Sequence, residues 1–237
     1  RTSFNVAEAL LAWFDHHGRH DLPWQTPDDP YRVWLSEIML QQTQVQTVIP
    51  FFERFISKYP NLKSLSIASE DEILAVWSGL GFYRRAKNIF KTKEIIKHNY
   101  KNIFPKKYEE LMALPGIGKS TAGAIMSLAY QESYPILDAN VKRVISRFEN
   151  IERDEKKLWE LSEKLTPKNN LFAYTQGIMD LGATACSVRE PECQICPVMK
   201  ICNSAFEASD QAPKKNKEKS IKKINFTLAH SQQSFLL

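Results

Sequence analysis

The sequence predicts an all-α protein. Apolar residues recur at helical spacing almost from end to end, Pro and Gly cluster between those runs, and no strand-like alternation occurs before the final residues. With 237 residues, 43% of them hydrophobic, the chain is long enough to bury a substantial core.

The first helical run covers Val33–Lys58 and stops before Pro60. Asp71–Trp77 ends at the Gly79–Gly81 turn, and Ala86–Tyr100 ends ahead of Pro105. Lys107–Ala113 runs into Pro115–Gly118, and Ser120–Tyr130 follows with Ala122, Ile125, Met126 and Ala129 on one face. Pro135 and Pro167 bracket Asn140–Phe148 and Glu155–Leu165, and Phe172–Leu181 closes the series. Lysine-rich residues 213–223 suit a linker, and INFTLAHSQQSFLL suits a strand that begins a further domain. Arg1 in place of an initiator Met, together with that ending, suggests a fragment.

The net charge is +5, with basic residues concentrated in Arg84–Lys107 and Lys214–Lys223. Such bias favours a polyanionic partner, although charge runs are more commonly solvated helix faces or tails. No apolar run reaches the length of a membrane span, and the N-terminus has neither an apolar signal core nor a cleavage site. These features fit a soluble, cytoplasmic protein, expected to be a monomer.

Leu114-Pro115-Gly116-Ile117-Gly118 spaces two glycines for a tight turn between helices. There, unhindered backbone N–H groups converge on an anion at a helix start, phosphate being the obvious one. An isolated P-G-x-G is more often an ordinary helix corner. Asp138, before Ala139 and Asn140, has the placing of a helix N-cap.

Glu37 lies among Trp34, Leu35, Ile38 and Leu40, where burial raises a carboxyl pKa toward neutrality. Four glutamines, at 41, 42, 44 and 46, follow within six positions; amides both donate to and accept from base edges. The bland readings are an exposed glutamate and a polar helix face.

All four cysteines lie in Cys186-x6-Cys193-x2-Cys196-x5-Cys202. Disulfides are disfavoured by the size of the core and the missing export signal. Structural zinc prefers two short Cys pairs, whereas one C-x2-C flanked by longer spacings suits a loop wrapped around a cuboidal iron–sulfur cluster.

LPGIGK (114–119), STAGAI (120–125) and PILDANVKRV (135–144) resemble the helix–hairpin–helix DNA glycosylases. LPWQ (22–25), WLSEIMLQQTQV (34–45), GLGFYRRAKN (79–88) and MDLGATAC (179–186) extend the resemblance to that superfamily's adenine glycosylase branch, over essentially residues 20–205. The resemblance implies a six-helix barrel over residues 29–132 carrying the hairpin. It also implies a cluster domain from residues 1–28 and 133–212, with the extruded base held in the cleft between, and leaves 213–237 as linker and the start of a C-terminal 8-oxoguanine-recognition domain.

It implies base excision repair: hydrolysis of the N-glycosidic bond of adenine opposite 8-oxoguanine or guanine in duplex DNA, in a bacterial, nucleoid-associated enzyme. Glu37 would protonate adenine and Asp138 would stabilise the sugar cation, electrostatically or through a transient covalent adduct. One [4Fe–4S] cluster would sit on Cys186, Cys193, Cys196 and Cys202, with Arg189 and Lys200 beside it as phosphate contacts. Gln42, flanked by Leu40 and Gln41, would enter the duplex near the opposing base, and Phe82 and Tyr83 would wedge it. Gly116, Gly118, Lys119 and Ser120 belong to the backbone clamp, and Trp24, Gln25, Asn140, Lys142 and Asp180 to the wider DNA-binding set.

Two departures stand out. Phe82 occupies a position where the branch usually has Tyr, removing a hydroxyl contact. Ser120 stands where bifunctional endonuclease III relatives carry a lysine nucleophile, which implies a monofunctional hydrolase, with Lys119 and Lys142 as the remaining amines for any weak lyase action. The rival readings are an endonuclease III-like enzyme for oxidised pyrimidines or T·G mismatches, and a DNA-binding module without catalysis.

Overall fold

Asn5 opens the first helix by accepting the N–H groups of Ala7 and Glu8, and α1 runs over Val6–His17. In this computed structural model, which describes residues 4–151, 154–207, 229–231 and 234–236, ten further α-helices follow. They are α2 Pro30–Leu40, α3 Val45–Lys58, α4 Leu62–Leu65, α5 Glu70–Trp77, α6 Arg84–Tyr100, α7 Tyr108–Met112, α8 Lys119–Ala129, α9 Ala139–Glu149, α10 Glu155–Leu165 and α11 Leu171–Ala183. An antiparallel pair, β1 Ala229–Ser231 and β2 Ser234–Leu236, forms in the segment read as strand-forming. The stretch read as a linker lies outside the described residues.

Local chemistry sets most boundaries. Asp29 caps α2 with Pro30 at the first helical position. Capping boxes at Asn61 and Ser69 start α4 and α5, and left-handed Lys101 and Asn150 end α6 and α9.

The single helix expected over Val33–Lys58 is two. The chain leaves the helix at Gln41, passes through a left-handed Gln42 (φ +58°) and restarts at Val45. Periodicity missed this break because apolar spacing resumes beyond it. α4, a single turn, was not anticipated at all.

α2 packs on α8, α3 and α6; α5 bridges α3 and α6; α7 packs on α8. α1 lies along α11, which also contacts α8 and α9, and α10 packs on α9. Nearly all the buried apolar residues form one continuous cluster around Trp34, Trp77, Phe52 and Phe55. Among the described residues no helix is long and apolar enough to cross a membrane.

Candidate active site

Gly116 adopts φ +82°, the left-handed region where a side chain is strained, and an added Cβ would fall 2.8 Å from Asn88 Nδ2. Gly118 is extended and is the N-cap of α8, with open space where a Cβ would stand. One glycine therefore shapes the turn, and the other leaves the first N–H groups of α8 approachable by an anion. The exposed Lys119 places its ammonium 4.0 Å from the Trp159 ring centre, and its carbonyl accepts the Tyr108 hydroxyl at 3.2 Å.

Ser120 Oγ accepts the Leu137 N–H at 3.0 Å, fastening α8 to the extended segment that ends at Asp138. Asp138 is the N-cap of α9, its Oδ1 accepting the Val141 N–H at 2.7 Å. Burial raises the Asp138 pKa, while the Val141 and Asn140 N–H groups and the Arg143 guanidinium pull it down.

Glu37 projects from the last turns of α2 and is half-buried. Burial pushes its pKa up to about 8, and the nearby Asp138 charge adds to the rise. Two carboxyl groups from different elements thus share one field. At Asp138 helix N–H donors and an arginine hold back the rise that burial causes, whereas Glu37, without them, keeps its proton near neutral pH.

Around this pair the glutamine turn, the hairpin and the Gly79–Tyr83 turn are knitted together. Gln41 Nε2 donates to the Gly116 carbonyl at 3.2 Å, and Gln42 is exposed. Leu40, the last residue of α2, is half-buried against the core. Phe82, at φ +48°, and Tyr83 are large aromatics left about half exposed (55% and 47%) beside the turn. Arg85, which the sequence reading did not single out, is buried beneath them and donates to the carbonyls of Met39 and Gln41 at 2.5 and 2.6 Å.

Several expected DNA contacts face the interior instead. Asp180 is 1% exposed and its carboxylate takes both the backbone N–H and the guanidinium of Arg19, so it pins the chain after α1 to α11. Trp24 is buried edge-on against Phe52. Gln25 donates to the Arg19 carbonyl at 2.7 Å and reaches Gln176 at 3.4 Å. In this structure all three residues are engaged with the scaffold. Asn140 accepts from Arg143 at 2.9 Å, and Lys142 pairs with Glu155 at 3.1 Å on the surface.

Arg143 was also overlooked. Its guanidinium joins Asn140, the Gly182 carbonyl and the Cys186 carbonyl, standing between Asp138 and the cysteine loop.

The four cysteines are free and half-buried, and all four line one cavity with Val144, Arg147 and Val198. Burial raises the Cys196 pKa, and the charges of the other three thiols add to it, as expected of sulfurs that converge. Arg147 donates to Cys186 Sγ and the Phe206 N–H to Cys193 Sγ, each at 3.4 Å. Among the described residues no three potential ligands gather tightly enough to hold a single metal ion. Tetrahedral zinc needs four sulfurs on one centre, whereas a cuboidal cluster spreads its thiolates over separate irons. Four soft donors around a common cavity fit the cluster.

Residues 35–168 match the HhH-GPD superfamily of base excision DNA repair proteins. The chain belongs to this superfamily. Its curated relatives include proteins named adenine DNA glycosylase. That of Buchnera aphidicola subsp. Acyrthosiphon pisum is 45% identical over 245 residues, spanning 100% of this chain and 70% of the relative, and that of Mus musculus is 37% identical over 82% of this chain and 41% of the relative. Among solved structures, a thermostable thymine-DNA glycosylase superposes with TM-score 0.76 at 30% identity, over 83% of this chain and 93% of that one. A trapped endonuclease III–DNA covalent intermediate superposes with TM-score 0.71 at 21% identity, over 84% and 93%, a likeness of fold.

Proposed function

We propose that this chain excises adenine mispaired with guanine or 8-oxoguanine from duplex DNA, by hydrolysing its N-glycosidic bond. The observation that carries the reading is the Glu37–Asp138 pair: burial raises both carboxyl pKa values, Glu37 to about 8, while helix N–H groups and Arg143 hold back the rise at Asp138 alone. The adenine glycosylase relatives favour adenine over the thymine named for the 30% identical structure, because their identity reaches 45% over the whole chain.

Extrusion brings the base to Glu37, whose proton makes the departing adenine neutral. The deoxyribose is left electron-deficient, and the Asp138 carboxylate faces the developing positive charge, fixed by the Val141 N–H. Water then completes hydrolysis. Gln42 and Phe82 are exposed, free for one amide and one ring to occupy the space the base vacates. The Gly116–Lys119 turn holds the DNA backbone through the first N–H groups of α8.

With Ser120 in the lyase position and Lys119 against Trp159, the product is an intact abasic site. Residues 29–132 act as the hairpin-bearing barrel, and residues 1–28 with 133–212 as the cluster domain; the packing of α1 on α11 supports the second grouping.

Cys186, Cys193, Cys196 and Cys202 would hold one [4Fe–4S] cluster, which supplies a cross-link for residues 186–202 and takes no part in hydrolysis.

The test is single-turnover incubation with end-labelled duplexes carrying A·8-oxoguanine, A·G, A·T or thymine glycol, developed with and without alkali. Alkali-dependent cleavage at mispaired adenine alone is expected. Cleavage at thymine glycol without alkali would overturn the reading in favour of an endonuclease III-like lyase, and binding without product would leave a recognition module.

A further inference from the structure

Arg85 is 6% exposed, yet every acceptor of its guanidinium is a backbone carbonyl: Ile38 at 3.3 Å, Met39 at 2.5 Å, Gln41 at 2.6 Å and Gly81 at 3.4 Å. Its charge lies 5.3 Å from the Trp77 ring centre and 5.0 Å from that of Phe82. Burial lowers its pKa, a sign of how poorly water compensates the cation.

A helix C-terminus is ordinarily closed by a left-handed glycine or by water. A buried cation is a costly substitute, although the negative end of the α2 dipole offsets part of that cost. What it adds is reach, because one rigid fork spans two segments that are distant in sequence.

The first segment is the last turn of α2, where the gripped Ile38 carbonyl lies one residue from Glu37. The second is the Gly81–Phe82 turn, whose Gly81 carbonyl also accepts Trp77 Nε1 at 2.9 Å and whose Phe82 backbone is left-handed. Through Gln41 the same unit reaches the hairpin at Gly116. The exposed ring and the half-buried acid therefore depend on one side chain for their relative position.

We propose that Arg85 is a positioning residue for excision, holding the Glu37 carboxyl and the Phe82 ring in a fixed spatial relation so that the acid meets the base while the ring occupies the duplex. This rests on the roles given above to Glu37 and Phe82.

The test compares the full chain with Arg85→Met, which keeps the stem without donors, and Arg85→Lys, which keeps the charge with fewer donors. Single-turnover excision from an A·G duplex is measured beside affinity for an undamaged duplex. Arg85→Met should slow excision by about 10- to 100-fold, the scale of a misplaced reacting group. Its duplex affinity should stay within about 2-fold of the parent, since phosphate contacts are untouched, and Arg85→Lys should recover part of the rate. Parental excision by Arg85→Met overturns the proposal. So does a fall of rate, affinity and melting temperature together in both variants, or loss of folding in both, since either assigns Arg85 to the scaffold alone. A parent that leaves adenine in place defeats the assignment of Glu37 first, and this inference with it.

Discussion

The Ser120 hydroxyl accepts the Leu137 N–H at 3.0 Å, one residue before Asp138, so the first turn of the hairpin helix fixes the peptide that delivers the second carboxylate. The serine is thus more than the absence of a lyase amine. Ser120→Ala leaves the Leu137 N–H without its acceptor and should cost about 1 kcal/mol in thermal or denaturant unfolding. The excision rate should fall several-fold while duplex affinity holds. A variant with parental rate and stability would show that the bond contributes nothing to placing Asp138.

Excision should lose rate at alkaline pH. With the Glu37 pKa near 8, the proton is present below that value and absent above it, so the single-turnover rate should drop about tenfold per pH unit beyond pH 8. On the acid side, the raised Asp138 pKa moves loss of its carboxylate above the ordinary 3.8. A rate that stays level to pH 10 would remove Glu37 from the role of acid.

The same half-buried acid carries a stability signature of fixed sign. Unfolded, Glu37 titrates near 4.5; folded, near 8. Between those values the native state keeps a proton that the unfolded chain releases, so stability falls as pH rises from 4.5 to 8 and levels off above. Glu37→Gln carries no such dependence. It should gain on the parent by on the order of 1–3 kcal/mol between pH 5 and pH 8.5, while losing excision and keeping DNA binding. Chemical denaturation at both pH values reads the difference, and an equal gap at the two would contradict the raised pKa.

What the sequence made legible divides by range. Helix ends just ahead of Pro60 and upstream of Pro105 were readable, because Pro and Gly mark the turns that follow them. The break at Gln41–Gln44 was not, since its causes are Arg85 on the Gln41 carbonyl and Gly116 on the Gln41 amide, both distant in sequence. Asp180 and Gln25 sat in motifs that pointed outward, but their partners, Arg19 and Gln176, turn them inward. Arg85 and Arg143 were hidden in helical patterns, where a buried arginine reads like any exposed one.

The cysteine loop makes a compositional prediction. Protein purified without oxygen should carry four iron and four acid-labile sulfide per chain with visible absorbance, the signature of one cubane. Zinc in their place would overturn the cluster. Cys196→Ser removes one of the four converging thiols, and limited proteolysis within 186–202 should then increase, because the regular structure described in this loop is limited to short 3-10 turns at Cys193–Ile195 and Met199–Ile201.

The two hairpin glycines should separate folding from binding. At Gly116, φ +82° and the Asn88 amide 2.8 Å from a new Cβ both oppose alanine, so Gly116→Ala should cost about 1–3 kcal/mol. It should also disturb the carbonyl that Gln41 holds, coupling lost stability to lost excision. At Gly118 the backbone is extended and the space is open, so alanine is conformationally free to fit. Its methyl would stand where a phosphate must approach the first N–H groups of α8. Gly118→Ala should therefore melt like the parent yet bind duplex DNA about 10-fold more weakly, with one bidentate backbone contact as the measure of the loss. Equal affinity for parent and Gly118→Ala would move the backbone clamp away from this turn, whatever the fate of Gly116→Ala.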